Sequence, residues 1–242
     1  MSIDLSGRTA IVTGAARGIG RAVAEKLAES GAALAISDVL DCADTARTIT
    51  AAGGAVRTAL CDISSEADVT TLFADVTPDI VVHCAGVIDE RPLLETTAQD
   101  FDRVIGINLR GSFLVGREAL RCFSRLGQGR LIMIASDLAY TGRETFSAYV
   151  ASKHGVLGLV RSWAREFAPG ILVNAICPGP IDTAMLDVEN MSPEWRQREL
   201  AIPLARFGQP EEIAEMAVFL CGPGGSYITG QGIGVNGGSI MP

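Results

Sequence analysis

Aromatic side chains are scarce in this sequence, only 5% of its 242 residues. Stacking against nucleobases depends on them, and a formal net charge of −8 opposes phosphate backbones, so nucleic acid is excluded as a partner. Two histidines, His83 and His154, are too few for a histidine-rich metal site. The six cysteines (Cys42, Cys61, Cys84, Cys122, Cys177 and Cys221) form no C-x-x-C pair. They sit in or beside apolar runs and are expected as buried free thiols, with no metal bound. No apolar run reaches membrane-spanning length. The opening "MSIDLSGRTAIVTG" has no basic segment followed by an apolar one, so a cytoplasmic protein with no membrane partner is expected.

What the chain does have is apolar material, 48% of residues, arranged as short runs alternating with helical patterns. Strands are expected at 9–14, 32–38, 55–62, 79–86, 129–136, 171–179 and 232–238. Helices are expected at 18–31, 41–52, 66–75, 97–125, 147–168 and 210–222, with a polar, irregular stretch over 180–209. Strands apolar on both faces and alternating with helices indicate a parallel sheet covered on both sides. The fold class is therefore α/β: a single doubly wound domain over 1–242, with a parallel sheet of about seven strands.

"TGAARGIG" (13–20) joins the first strand to the first helix. Gly14, Gly18 and Gly20, with Ile19 between the last two, allow a tight turn and close approach of a pyrophosphate to the backbone. The helix start adds free N–H groups and the positive end of a dipole, so a dinucleotide is expected here. Asp38 ends the second strand, where a carboxylate accepts from the adenosine ribose hydroxyls and repels a 2′-phosphate. Arg17 pulls the other way, toward NADP. The carboxylate outweighs one exposed arginine, so NAD is the expected cofactor and NADP the less favoured one.

"SAYVASKHG" (147–155) places Tyr149 and Lys153 four residues apart, on one helix face. A free phenol has a pKa of about 10. An ammonium beside it favours the phenolate and makes it a usable base.

The glycine turn together with "YVASK" resembles the classical short-chain dehydrogenase/reductase family, a Rossmann-type fold, over nearly the whole chain. T-G-x-x-x-G-x-G matches Thr13 to Gly20. The resemblance implies adenine contacts at Asp62 and Ile63. N-N-A-G appears as "HCAG", where Ala85 and Gly86 still suit a turn under the cofactor. Cys84 cannot make the hydrogen bonds of an asparagine, so altered strand support is expected there, and the segment from Asp62 to His83 is shortened.

The same resemblance implies a catalytic set of Asn108, Ser136, Tyr149 and Lys153. Tyr149 exchanges the substrate proton, Lys153 lowers its pKa and holds the nicotinamide ribose, Ser136 polarises the substrate oxygen, and Asn108 supports a water chain. Pro178, Gly179, Ile181 and Thr183 match the motif that holds the nicotinamide. The stretch 184–206 is expected as a lid. Arg143, Glu144 and Met185 are candidate substrate contacts.

The implied activity is interconversion of a secondary alcohol and a ketone on NAD(H), with a sugar, polyol or hydroxy acid as the small-molecule substrate. The alternatives are a 3-oxoacyl-thioester (acyl-carrier-protein) reductase and a nucleotide-binding protein without chemistry. Helices 97–125 and 147–168 carry apolar stripes broader than one sheet face needs; the resemblance implies that they pair with the same helices of another subunit, giving a homotetramer, or failing that a dimer.

Overall fold

The computed structural model describes residues 3–242. Seven strands form one sheet: β1 (Thr9–Thr13), β2 (Ala33–Asp38), β3 (Val56–Leu60), β4 (Ile80–His83), β5 (Gly129–Ile134), β6 (Ile171–Pro178) and β7 (Gly232–Val235). Every pairing is parallel, in the order β3-β2-β1-β4-β5-β6-β7. The chain thus builds outward from β1 in one direction and then returns to build outward from β4 in the other. This is the doubly wound Rossmann-type arrangement expected from the alternating pattern.

The described residues form eight α-helices: α1 (Gly18–Glu29), α2 (Ala43–Ala51), α3 (Glu66–Ala74), α4 (Ala98–Ile105), α5 (Gly111–Leu126), α6 (Ser147–Phe167), α7 (Pro193–Glu199) and α8 (Pro210–Cys221). Alternation along β1 separates two helical layers. Ile11 faces one way and packs with Val115 and Phe123 of α5 and Val160 of α6. Ala10 and Val12 face the other way, among Val23 and Leu27 of α1 and Ile213 of α8. Two buried faces explain why the strands read as continuous apolar runs. No helix among the described residues is long and apolar enough to cross a membrane.

Three expectations need correction. The strands at 79–86, 129–136 and 232–238 stop earlier, at His83, Ile134 and Val235. The residues past these ends, 84–86, 135–136 and 236–238, lie outside the sheet and line cavities. The single helix expected over 97–125 is three pieces: α4, a π-helical turn Gly106–Arg110, and α5. Helical backbone continues through Ile105 and Gly111 on either side of the π turn, and no proline marks it, so no local stop signal betrays it. The stretch 180–209 also contains α7, whose start is capped by Ser192 accepting from the Trp195 N–H, with Pro193 in the first turn.

Candidate active site

The site lies at the carboxyl ends of β1 and β4, where strand order reverses. The turn after β1 is shaped by contacts that only glycine permits. Gly14 has φ +69°, and a Cβ there would stand 2.6 Å from the Ala85 nitrogen. A Cβ on Gly20 would stand 2.0 Å from the Gly14 carbonyl oxygen. Residues on β2 and α2 fix the turn from behind. Ala15 N–H donates to the Ser37 carbonyl at 3.1 Å, and the Thr45 hydroxyl donates to the Ala15 carbonyl at 2.9 Å. Arg17, the residue before α1, makes no capping bond through its side chain, and no acid occupies the first helical turn. The first N–H groups of α1 therefore remain available to an anion.

Asp38 is held at the rim of this turn. One carboxylate oxygen accepts from Ala16 N–H and the other from Leu40 N–H, each at 3.1 Å. Arg17 stands exposed nearby on the same wall. These residues border a cavity of about 470 Å³. Gly14, Gly18, Ile19 and Gly20 form one part of its wall; Asp62, Ile63, Ala85 and Gly86 form another. Pro178, Gly179, Ile181 and Thr183 close the far side. The Thr183 methyl lies 3.4 Å from where a Gly18 Cβ would sit, so the segment after β6 meets the glycine turn. Glycine at both close approaches and a carboxylate at the rim make a cradle that fits a dinucleotide.

Ser136, Tyr149 and Lys153 line the same cavity. Lys153 is buried, donates from Nζ to the Ile134 carbonyl at 2.9 Å, and has Nζ 5.6 Å from the centre of the Tyr149 ring. The Ser136 hydroxyl caps the turn that follows β5, accepting from Leu138 N–H and donating to Asp137 Oδ1, each at 3.1 Å. Asn108 occupies the π-helical turn and lies behind the wall rather than on it. Its side chain clamps the Val87 backbone in both directions at 2.8 Å and donates to the Ser152 hydroxyl at 3.2 Å. Gly86 separates Asn108 from Lys153: a Cβ there would stand 3.2 Å from Asn108 Oδ1 and 3.8 Å from Lys153 Nζ.

Burial pushes the Tyr149 phenol up to about 12; the Ser136 hydroxyl opposes this and the Asp137 charge adds to it. Burial brings the Lys153 ammonium down to about 8, against the pull of Cys177 and Cys84. Here the ammonium is directed at a carbonyl and at the ring face, and burial of the phenol is the dominant influence on it.

Beyond Tyr149 the wall becomes charged. Arg143 pairs with Glu199 of α7, and its guanidinium lies 5.1 Å from the centre of Phe146 and 4.7 Å from the centre of Trp195. Phe146 in turn meets Tyr149 edge-on at 6.3 Å. Asp137, with its pKa raised by burial, accepts from Ser239 at 2.6 Å and completes this rim. Met185 is half-exposed on the wall. Glu144 does not reach the cavity. It is exposed and pairs with Arg198 on the outer side of α7, because successive residues of the 142–146 loop turn opposite ways.

A family model described as enoyl-(acyl carrier protein) reductase matches residues 14–239. The 3-oxoacyl-[acyl-carrier-protein] reductase FabG of Aquifex aeolicus is 37% identical over 250 residues, covering 98% of this chain and 99% of the relative. The chain belongs to the short-chain dehydrogenase/reductase family. It is an oxidoreductase with the family's nucleotide-binding fold. Among solved structures, an Agrobacterium tumefaciens protein with the provisional name 2-deoxy-D-gluconate 3-dehydrogenase, crystallised with NADP, superimposes with a TM-score of 0.94 at 34% identity and 98% coverage of both chains. A second Agrobacterium tumefaciens protein, provisionally a gluconate dehydrogenase, gives 0.93 at 36% identity and full coverage of both.

Asp137 on the wall opens the stretch 137–146 between Ser136 and Tyr149, whose place in the sequence puts it at the pocket edge. Glu199 on the wall and His83 and Ser112 beneath it were not among the expected site residues. Glu199 carries no local signal, since only the packing of α7 brings it to Arg143.

The shifts on Tyr149 and Lys153 have opposite consequences for stability. Between about 8 and the ordinary lysine value of 10.5 the unfolded chain binds more protons at Lys153 than the folded one, so this residue's penalty is relieved as pH rises through that window. The Tyr149 contribution is lost only above about 10, as the unfolded phenol ionises first. Urea midpoints measured at about pH 8 and about pH 10 are therefore expected to rise in wild type relative to Lys153→Met. A difference that stays constant or narrows contradicts the buried ammonium.

Proposed function

We propose that the protein interconverts a secondary alcohol and its ketone using NAD(H), as one domain over 1–242 with 184–206 as its lid, in the cytoplasm. The observation that carries this reading is that Ser136, Tyr149 and Lys153 line the same cavity as the Gly14–Gly20 turn and Asp38. The cofactor, when bound, supplies the hydride or accepts it. Ser136 directs the substrate oxygen. Tyr149 gives or takes the proton at that oxygen, and Lys153 carries the compensating charge and meets the nicotinamide ribose. Asn108 holds Val87 and Ser152 so that the lysine keeps a route to solvent. Ile181 N–H and Thr183 orient the nicotinamide carboxamide.

Burial keeps the Tyr149 phenol protonated at neutral pH, the form that gives a proton to the carbonyl oxygen in reduction. Oxidation needs the added positive charge of the oxidised nicotinamide beside Lys153 to lower it. The charged rim of Asp137, Arg143 and Glu199 supports a compact hydroxylated substrate such as a sugar, polyol or hydroxy acid. The name of the Aquifex aeolicus relative favours a second reading, a 3-oxoacyl-thioester reductase.

Asp38 supports NAD. Its carboxylate is immobilised by two backbone N–H groups where it meets ribose hydroxyls, and a 2′-phosphate there faces a fixed negative charge. The NADP in the related Agrobacterium structure and the exposed Arg17 support the other cofactor. Exposed aromatics occur on both helical layers, Phe101 and Phe113 on one and Phe219 and Tyr227 on the other. Two such patches support two self-complementary interfaces and hence a homotetramer.

Four measurements test this reading. A panel of sugars, polyols, hydroxy acids and 3-oxoacyl thioesters, followed by nicotinamide absorbance with each cofactor, is expected to show turnover on the hydroxylated compounds. Tyr149→Phe is expected to reduce kcat by about 10²–10⁴-fold while NADH binding is retained; wild-type turnover in that variant rules out the proton-transfer role. Asp38→Ala is expected to shift the ratio of kcat/KM values toward NADP, and an unchanged ratio removes Asp38 from cofactor choice. Light scattering at micromolar concentration is expected to give four times the chain mass, and a monomer mass rules out both interfaces.

A further inference from the structure

His83 ends β4 and is buried, off the cavity wall. Both ring nitrogens are engaged. Nδ1 lies 2.7 Å from the Thr13 hydroxyl at the end of β1, and Nε2 lies 3.1 Å from the Ser112 hydroxyl in the first turn of α5. A serine hydroxyl has one proton, and Ser112 donates it to the Asn108 carbonyl. Ser112 therefore accepts from His83, which places the ring proton on Nε2. Nδ1 is then bare and accepts from Thr13. The Thr13 oxygen faces the Ala85 N–H at 3.5 Å. Each donor along this path points the same way, from Ala85 through Thr13, His83 and Ser112 to Asn108.

Asn108 extends the path to the reacting groups. Its amide donates to Ser152, whose hydroxyl donates to the Tyr149 carbonyl at 2.7 Å. The same amide clamps Val87, beside the Ala85–Gly86 wall. The path thus ties together the Gly14 turn, the π-helical turn and the helix that carries Tyr149 and Lys153.

We propose that His83, as its Nε2–H tautomer, is a positioning residue that holds these three elements in register for hydride and proton transfer. The chain departs from N-N-A-G at this position, so the imidazole is its own solution. Burial, and after it the Lys153 charge, push the ring's pKa down to about 3, so the proton arrangement persists across the working pH range. A longer ring with two opposed nitrogens spans Thr13 and Ser112 together, and an aliphatic side chain engages neither.

The inference rests on the proposed roles of Tyr149 and Lys153. Nitrogen NMR of the histidine-labelled protein is expected to show His83 protonated at Nε2 and bare at Nδ1, unchanged from about pH 5 to about pH 8. Ser112→Ala and His83→Leu are each expected to lower kcat by about 10- to 100-fold, with substrate KM and NADH affinity within about twofold. The double variant is expected to lose no more than either single one, because both cut the same path. Ser112→Ala removes one hydroxyl from a packed helix and keeps the test open if His83→Leu does not fold. An Nδ1–H ring, a change confined to thermal stability, or additive losses overturns the proposal. A fully active Tyr149→Phe instead overturns the site reading beneath it, whereas an inactive Tyr149→Phe beside wild-type Ser112→Ala and His83→Leu overturns the relay alone.

Discussion

The approach of the β1 turn to the end of β4 governs everything above it. Thr13 and His83 are register partners in the sheet, and just beyond them Gly14 and Ala85 come so close that no Cβ fits between them. That contact bends the chain away from the sheet at the point where strand order reverses. The bend opens the cavity, presents the start of α1 to it, and seats Ala85 and Gly86 as wall. A side chain at Gly14 would separate the two strand ends and lose the cradle and the wall together.

Around this contact the polar groups are arranged by desolvation more than by attraction. Lys153 lies deep enough for burial to weaken its charge, and Tyr149 deep enough for burial to disfavour its anion. Their proximity is therefore not the whole of the chemistry. The chain holds a protonated phenol beside an ammonium whose charge burial disfavours. At the rim Arg143 pairs with Glu199, and Asp137 accepts from Ser239, so each charged group there has a partner.

Much of this was legible before the coordinates. The strand-helix alternation predicted the parallel sheet because both sheet faces are buried and the strands carry no polar alternation. Gly14, Gly18 and Gly20 marked the turn because only glycine tolerates that backbone and that crowding. Tyr149 and Lys153 were adjacent on one helix face by spacing alone. Other features were illegible for equally physical reasons. The π-helical turn at Gly106–Arg110 is flanked by helical backbone and carries no proline to signal a break. Glu144 and Arg143 look equivalent in the sequence, yet loop geometry turns one to solvent and the other onto Phe146 and Trp195.

By its own residues, then, the sequence determined the layered α/β architecture, the glycine turn, the acid at the end of β2 and the Tyr149–Lys153 pair. Each of these follows from local rules of periodicity, backbone freedom or helical spacing. Tertiary structure alone decided that burial raises the Tyr149 phenol, that Glu199 reaches Arg143, and that His83 joins Thr13 to Ser112. These depend on distances between residues from 29 to 70 positions apart in the two histidine contacts, and on solvent exclusion, which no local pattern encodes.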